Sequence, residues 1–116
     1  IRTDLENSIA MARNANIDKE NIVIDPGIGF GKSISQNKRL INELHYFTEL
    51  GYPILIGPSR KSFIGYTLNL PVEERLEGTA AAISIGIARG ADIIRVHDVK
   101  SMARVTRMTD SLVRNT

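Results

Sequence analysis

The feature that most constrains this chain is an alternation of two hydrophobic periods. Short, continuous apolar runs, "NIVID" (21–25), "PILIG" (53–57) and "ADIIRVHDV" (91–99), alternate with longer stretches whose apolar residues recur every three to four positions. Runs of the first kind suit strands covered on both faces, and stretches of the second kind suit amphipathic helices. Leu5, Ile9 and Ala12 share one face of a first helix, with Thr3 or Asp4 as the expected cap. Leu40, Ile41, Leu44, Phe47 and Leu50 form the clearest stripe, a helix expected over 35–50 that Gly51 stops. "TAAAISIGIARG" (79–90) mixes signals. Ile83, Ile85 and Ile87 alternate like a strand, but the length, the alanines and the closing Gly90 read as an apolar helix. Met102, Val105 and Leu112 line one side of a last helix. The segment from Pro58 to Gly78 has no clean period, and one helical turn is expected from Glu73 to Leu76.

The order α-β-α-β-α-β-α implies parallel strands joined by helical crossovers. Three parallel strands alone leave two open edges. A (β/α)8 barrel typically needs roughly 250 residues, and 116 residues supply something under half of one. The sequence opens at Ile1, inside a helical stretch, so residues 1–116 are expected to be one portion of a longer barrel. Composition narrows the class. With 42% hydrophobic and 24% charged residues, the chain reads as soluble and globular. A net charge of +2 and the lack of a basic run with interleaved aromatics argue against a nucleic-acid partner. Without cysteine there is neither a disulfide framework nor a thiolate metal site. No apolar stretch has membrane-spanning length and no signal peptide is visible, so the expected setting is cytoplasmic, with no membrane partner.

"IDPGIGFGKS" (24–33) resembles a phosphate-binding loop at first sight. A P-loop needs Gly, four residues, then Gly-Lys-Ser/Thr. Counting back from Gly31-Lys32-Ser33 puts Pro26 where the first glycine belongs. The dinucleotide fingerprint fails too, because Lys32 stands where its third glycine should be.

The chemistry comes instead from topology. Asp25 ends the first strand, Ser59, Arg60 and Lys61 follow the second, and Arg95 and His97 end the third. All therefore gather at the C-terminal edge of parallel strands, where α/β folds bind ligands. In an extended strand Arg95 and His97 share a face with Ile93, while Ile94 and Val96 point to the helix layer. Taken singly, several of these residues have ordinary readings. Asp25 before Pro-Gly initiates a turn. The glycines permit chain reversal. Lys32 and Ser33 read as a solvated loop residue and a helix cap, Arg60 and Lys61 as a surface pair, and His45 as structural or exposed. Arg95 resists such a reading, because a charge within "IIRVH" would face a core unless a ligand or cavity receives it. Together, Lys61, Arg95 and His97 suit an anionic, phosphorylated ligand. The Asp25 carboxylate suits the N–H groups of an amino-substituted heterocycle.

"DPGIGFGK", "GPSRKSFIG", "RLEGTAAA" and "IIRVHDV", in this order and at these intervals, resemble the C-terminal half of dihydropteroate synthase. The resemblance implies strands six to eight of a (β/α)8 barrel. It implies an enzyme that joins 6-hydroxymethyl-7,8-dihydropterin pyrophosphate to p-aminobenzoate, with release of pyrophosphate assisted by Mg2+, and that sulfonamides inhibit. By that pattern Asp25 and Lys61 contact the pterin ring, and Arg95 lies against the pterin and reaches the pyrophosphate. His97 helps hold the pyrophosphate, and Phe30 and Ser62 border the aminobenzoate site. The family also implies a homodimer through the late barrel helices. Pro58 departs from the pattern, which often carries another small residue there. Two other readings stay open: a pterin-dependent methyltransferase module, which has no reason to keep Arg60-Lys61-Ser62, and a non-catalytic barrel fragment whose apolar "AAAISIGIA" helix serves an interface.

Overall fold

The computed structural model describes residues 1–114. Helix α1 (Arg2–Asn14) leads to an isolated parallel bridge between Ile24 and Ile54. Helix α2 (Ile34–Asn42) and a 3-10 segment (Leu44–Leu50) precede strand β1 (Leu55–Ile56). Helix α3 (Ser62–Leu68), a 3-10 turn (Val72–Glu74) and helix α4 (Leu76–Ala88) lead to strand β2 (Ile93–Ile94). Helix α5 (Val99–Val113) closes the described chain. β1 and β2 pair in parallel, Leu55 beside Ile93 and Ile56 beside Ile94. The expected alternation and parallel pairing are therefore present, although the first expected strand is reduced to a single bridge. Among the described residues no helix is long and apolar enough to cross a membrane.

The helix expected over 35–50 is broken at Glu43, and the reason lies in its own stripe. Leu40, Ile41 and Leu44 follow α-helical spacing, but Leu44, Phe47 and Leu50 stand three apart. A 3-10 winding, with three residues per turn, keeps all three on one face. Leu44 and Phe47 are buried there, and Leu50 packs against the same cluster. Gly51, in the left-handed region at φ 80°, ends the segment as expected. At the start of α2, Ser33 forms a capping box. Its Oγ accepts from the Gln36 N–H at 3.1 Å, and the Gln36 side chain accepts from the Ser33 N–H at 2.8 Å. Neither Thr3 nor Asp4 caps α1, which already begins at Arg2. Helix α3 fills part of the segment that shows no clean period, because its buried residues are only Phe63, Ile64 and Gly65.

In α4 the alternating isoleucines resolve as a helix. Ile83 and Ile87, four apart, are buried with Met102 of α5 against Ile94 and Val96, while Ile85 is exposed. Ile24, Ile54 and Ile56 join Leu40, Ile41, Leu44, Phe63 and Ile64 in a second core, on which Leu5 and Ile9 pack. All the helices thus lie over one face of the strands. The opposite face carries Val23 and Ile93, 47% and 40% exposed, together with Asp25, Arg95 and His97. The expectation that both strand faces are covered does not hold within this chain.

Candidate active site at the strand ends

Asp25, Lys61, Arg95 and His97 are brought to one edge by the parallel strands, on the face free of helices. The expected register holds: Arg95 and His97 are exposed, whereas Ile94 and Val96 pack against α4 and α5. The Arg95 guanidinium lies over Gly57. A Cβ there would meet Nη2 at 2.8 Å and Nε at 3.0 Å, so only glycine leaves room for this approach. The same guanidinium reaches Asp25, with Nη1 3.9 Å from Oδ2. Both groups are substantially solvated, so the pair adds little stability and leaves each free for a ligand.

Asp25 is held by the turn it begins. Its Oδ1 accepts the Gly27 N–H at 2.8 Å, a local Asx contact, so the turn-initiating reading and the ligand-facing one both describe it. Downstream, Gly29 sits at φ 87°, and a side chain there would collide with Lys61. Lys61 crosses this gap to donate from Nζ to the Ile28 carbonyl at 2.7 Å. Its ammonium lies 4.0 Å from the Phe30 ring centroid. Such a contact is worth about 0.5–1 kcal/mol at an exposed site. Phe30 is 63% exposed, unusual for a large aromatic, and its ring faces the site. Burial pushes the Lys61 pKa down and the Arg95 charge adds to that; Asp25 opposes the shift, and Lys32 reinforces it. Ser62 follows as the first residue of α3, exposed beside Lys61.

Lys32 is not the solvated residue expected. Its Nζ donates to the carbonyls of Gly27 at 2.7 Å and Phe30 at 3.0 Å, bracing the glycine turn from inside. Asn37, not singled out from the sequence, is buried and holds the same turn. Its Oδ1 accepts the Gly29 N–H at 2.7 Å, and its amide donates to the Ser33 carbonyl at 3.1 Å. A signal was present, since Asn37 lies on the stripe of Leu40, Ile41 and Leu44, where a polar residue needs a buried partner.

The loop after β1 is fastened differently. Arg60 has φ 57°, in the left-handed region that a residue with a side chain rarely visits. Its N–H donates to the buried Thr79 Oγ1 at 3.0 Å, and its carbonyl accepts from Arg75 at 2.9 Å. Its guanidinium forks onto Asp98, at 2.7 and 3.2 Å. The Arg60 guanidinium holds the Asp98 carboxyl below its ordinary range. Arg60 is thus a latch between loops and is not aimed at the strand-end face. Ser59 is buried, and its Oγ lies 2.7 Å from His97 Nδ1. Neither Thr79 nor Asp98 carries a sequence signal that marks it as the partner of Arg60.

The comparisons with known proteins give the family. The family model for pterin binding enzymes matches residues 1–97. A dihydropteroate synthase of Clostridium beijerinckii is 55% identical over 115 residues, covering 98% of this chain and 43% of the relative. That of Bacillus subtilis is 50% identical over 111 residues, covering 96% and 39%. Among solved structures, a dihydropteroate synthase from Coxiella burnetii in complex with pteroic acid superposes with a TM-score of 0.95. It shares 40% identity and covers 99% of this chain and 43% of its own. The chain spans about two fifths of the length of the relatives it matches. With a family model spanning most of its length and relatives at half or more identity over nearly all of it, the chain belongs to the pterin binding enzymes.

Proposed function

We propose that this chain forms part of the active site of a dihydropteroate synthase. In that reaction the C–O bond between a dihydropterin methylene and pyrophosphate breaks. A C–N bond to p-aminobenzoate forms, and the arylamine loses a proton. The observation that carries the reading is the meeting of Asp25, Lys61, Arg95 and His97 on one uncovered strand-end face, with Arg95 seated on Gly57. Asp25 offers Oδ2 to the ring N–H groups of the pterin, and the Lys61 ammonium reaches across to the same turn. Arg95 and His97 face the pyrophosphate, where charge develops as the bond breaks. Phe30 and Ser62, on either side of Lys61, border the aminobenzoate. A pterin-stabilised cation needs no strong base to be attacked by an arylamine, in keeping with a site built from cations and one carboxylate. The pteroic acid complex of the Coxiella burnetii relative supports the same ligand class.

The same proposal makes residues 1–116 strands six to eight, with their helices, of a (β/α)8 barrel. Support comes from the helices lying on one strand face only. A doubly wound sheet has helices on both faces, whereas a barrel turns its bare face inward. Val23 and Ile93 would then line the barrel interior. A 116-residue chain that melts cooperatively as a monomer would overturn this. We also propose a homodimer through the late helices. Ile41, Phe63, Ile64, Leu68, Ala82 and Ile85 line an apolar groove of about 300 Å3 between α2, α3 and α4. Sedimentation showing only monomer would exclude it.

Among the described residues no group of three or more His, Asp or Glu could hold a metal. Asp25, the carboxylate beside Arg95, is engaged by Gly27 and Arg95. Any Mg2+ would come with the pyrophosphate oxygens and residues outside this chain, as Mg2+ commonly binds.

The test is calorimetry on the full-length protein with a pterin that lacks the pyrophosphate. Asp25→Asn turns one acceptor into a donor facing ring N–H groups, which should cost about 1–3 kcal/mol of binding. Unchanged affinity would remove Asp25 as the anchor. Arg95→Lys keeps the charge but loses the planar fork, and turnover should fall by about 1–3 kcal/mol of barrier. Near-normal turnover would show that a point charge suffices.

A further inference from the structure

His97 sits one step beyond Arg95 on the bare strand face, and what holds its ring is a single buried hydroxyl. Ser59 is 5% exposed. Its Oγ contacts His97 twice: it accepts the His97 backbone N–H at 3.1 Å and lies 2.7 Å from ring Nδ1. The short ring contact is a full hydrogen bond, and its direction follows from counting. A serine hydroxyl has one proton to donate and two lone pairs. One lone pair receives the backbone N–H. If Nδ1 carried the ring proton, both ring and backbone would donate to Oγ, and the hydroxyl proton would be buried with no acceptor among the described residues. Buried polar groups are rarely left in that state. With the proton on Nε2, the hydroxyl donates to Nδ1 and every group is satisfied. The neutral ring is therefore held with Nε2–H directed away from Ser59.

Ser59 can do this because β1 and β2 run parallel in fixed register. The register pairs Ile56 with Ile94, and continuing it brings Gly57 beside Arg95 and Ser59 beside His97, in keeping with the contacts each pair makes. Its own loop is immobilised next door, where Arg60 is tied to Thr79, Arg75 and Asp98. The hydroxyl thus acts from a fixed platform on a ring whose Nε2 has no hydrogen-bond partner among the described residues. We propose that Ser59 is a positioning residue that fixes the tautomer and orientation of His97, so that Nε2–H is offered as a donor to a phosphate oxygen of the pyrophosphate group. This rests on the reading of the strand-end edge as the pyrophosphate site, and it adds to that reading the residue that aims the histidine.

Two measurements on the full-length protein separate the two ideas. In protein labelled with 15N-histidine, at a pH where the ring is neutral, His97 should show a protonated Nε2 and an unprotonated, hydrogen-bonded Nδ1. Ser59→Ala should remove the hydrogen-bond shift at Nδ1. Titrated with inorganic pyrophosphate, Ser59→Ala should bind about ten-fold more weakly, the loss of one well-made hydrogen bond. Its affinity for a pterin lacking the pyrophosphate should be unchanged, which also shows that the variant is folded. A protonated Nδ1 in the unaltered protein overturns the role of Ser59 without needing any variant. So does a Ser59→Ala protein that binds pyrophosphate as tightly as the parent. Both leave the pyrophosphate reading standing. Failure of the unaltered protein to bind pyrophosphate overturns that reading, and with it the destination of Nε2–H.

Discussion

Two loops meet at the strand ends, and they are held in opposite ways. The turn from Asp25 to Ser33 is built from its own neighbourhood. Left-handed glycines shape it, Lys32 braces it from within, and Asn37, eight residues from Gly29, holds its middle; its long-range ties, Lys61 to the Ile28 carbonyl and Arg95 to Asp25, come from the proposed ligand-facing side chains themselves. The loop from Gly57 to Lys61 is instead tied to residues far along the chain, Thr79, Arg75, His97 and Asp98. It even carries Arg60 in a left-handed conformation, which costs about 1–2 kcal/mol for a residue with a side chain. Such strain persists only where surrounding contacts over-determine the backbone. The proposed pterin side of the site therefore rests on local turn chemistry, and the proposed anion side on a long-range latch.

This difference can be broken most forcefully at Thr79. Thr79→Val keeps the shape of a fully buried side chain but strands the Arg60 N–H. Denaturant unfolding of the full-length protein should show a loss of about 1–3 kcal/mol. A loss near zero would mean the latch does not hold the loop. Next comes Gly29→Ala, which forces a side chain into φ 87° and pushes Lys61 off the Ile28 carbonyl. We expect about 1–2 kcal/mol of stability lost, with weaker pterin binding and unchanged affinity for inorganic pyrophosphate. An equal fall in both affinities would show that the two loops are coupled.

Lys32→Ala removes two bonds to turn carbonyls and should cost less, about 0.5–1.5 kcal/mol in the same unfolding experiment. A cost exceeding that of Thr79→Val would invert the comparison. The smallest effect concerns acid. Arg60 lowers the Asp98 pKa in the folded protein, so the pair's contribution is present above the unfolded value, about 3.9. It is lost as pH falls through the lowered folded value. Asp98→Asn should flatten the stability-against-pH curve on that acid side alone. An unchanged acid limb would show that the fork is stabilised equally in both states.

How much of this was legible beforehand follows the same division. The Ser33 cap, the Gly51 stop and the α4 helix were read from residues within a turn or two of one another. The break at Glu43 was also written locally, in the three-residue spacing of Leu44, Phe47 and Leu50, but a mixed stripe invites the longer helix. Lys32 reads as solvated from the sequence because nothing in "GFGKS" says that a glycine turn curls back far enough for its lysine to reach two carbonyls.

By itself the sequence determined the alternation of elements, the parallel strands and the register that puts Arg95 and His97 on the face opposite Ile94 and Val96. These follow from side-chain period and chain connectivity, which are local properties. It also placed Asp25, Lys61, Arg95 and His97 at one edge, because parallel strands leave their C-terminal ends together. Only the tertiary structure decided which partners hold them: Gly57 under Arg95, Ser59 on His97, Thr79 and Asp98 on Arg60. Those pairings span 19 to 38 residues. Hydrogen-bond partners at such separations depend on distances of a few tenths of an ångström between packed elements, and no residue pattern along the chain encodes that distance.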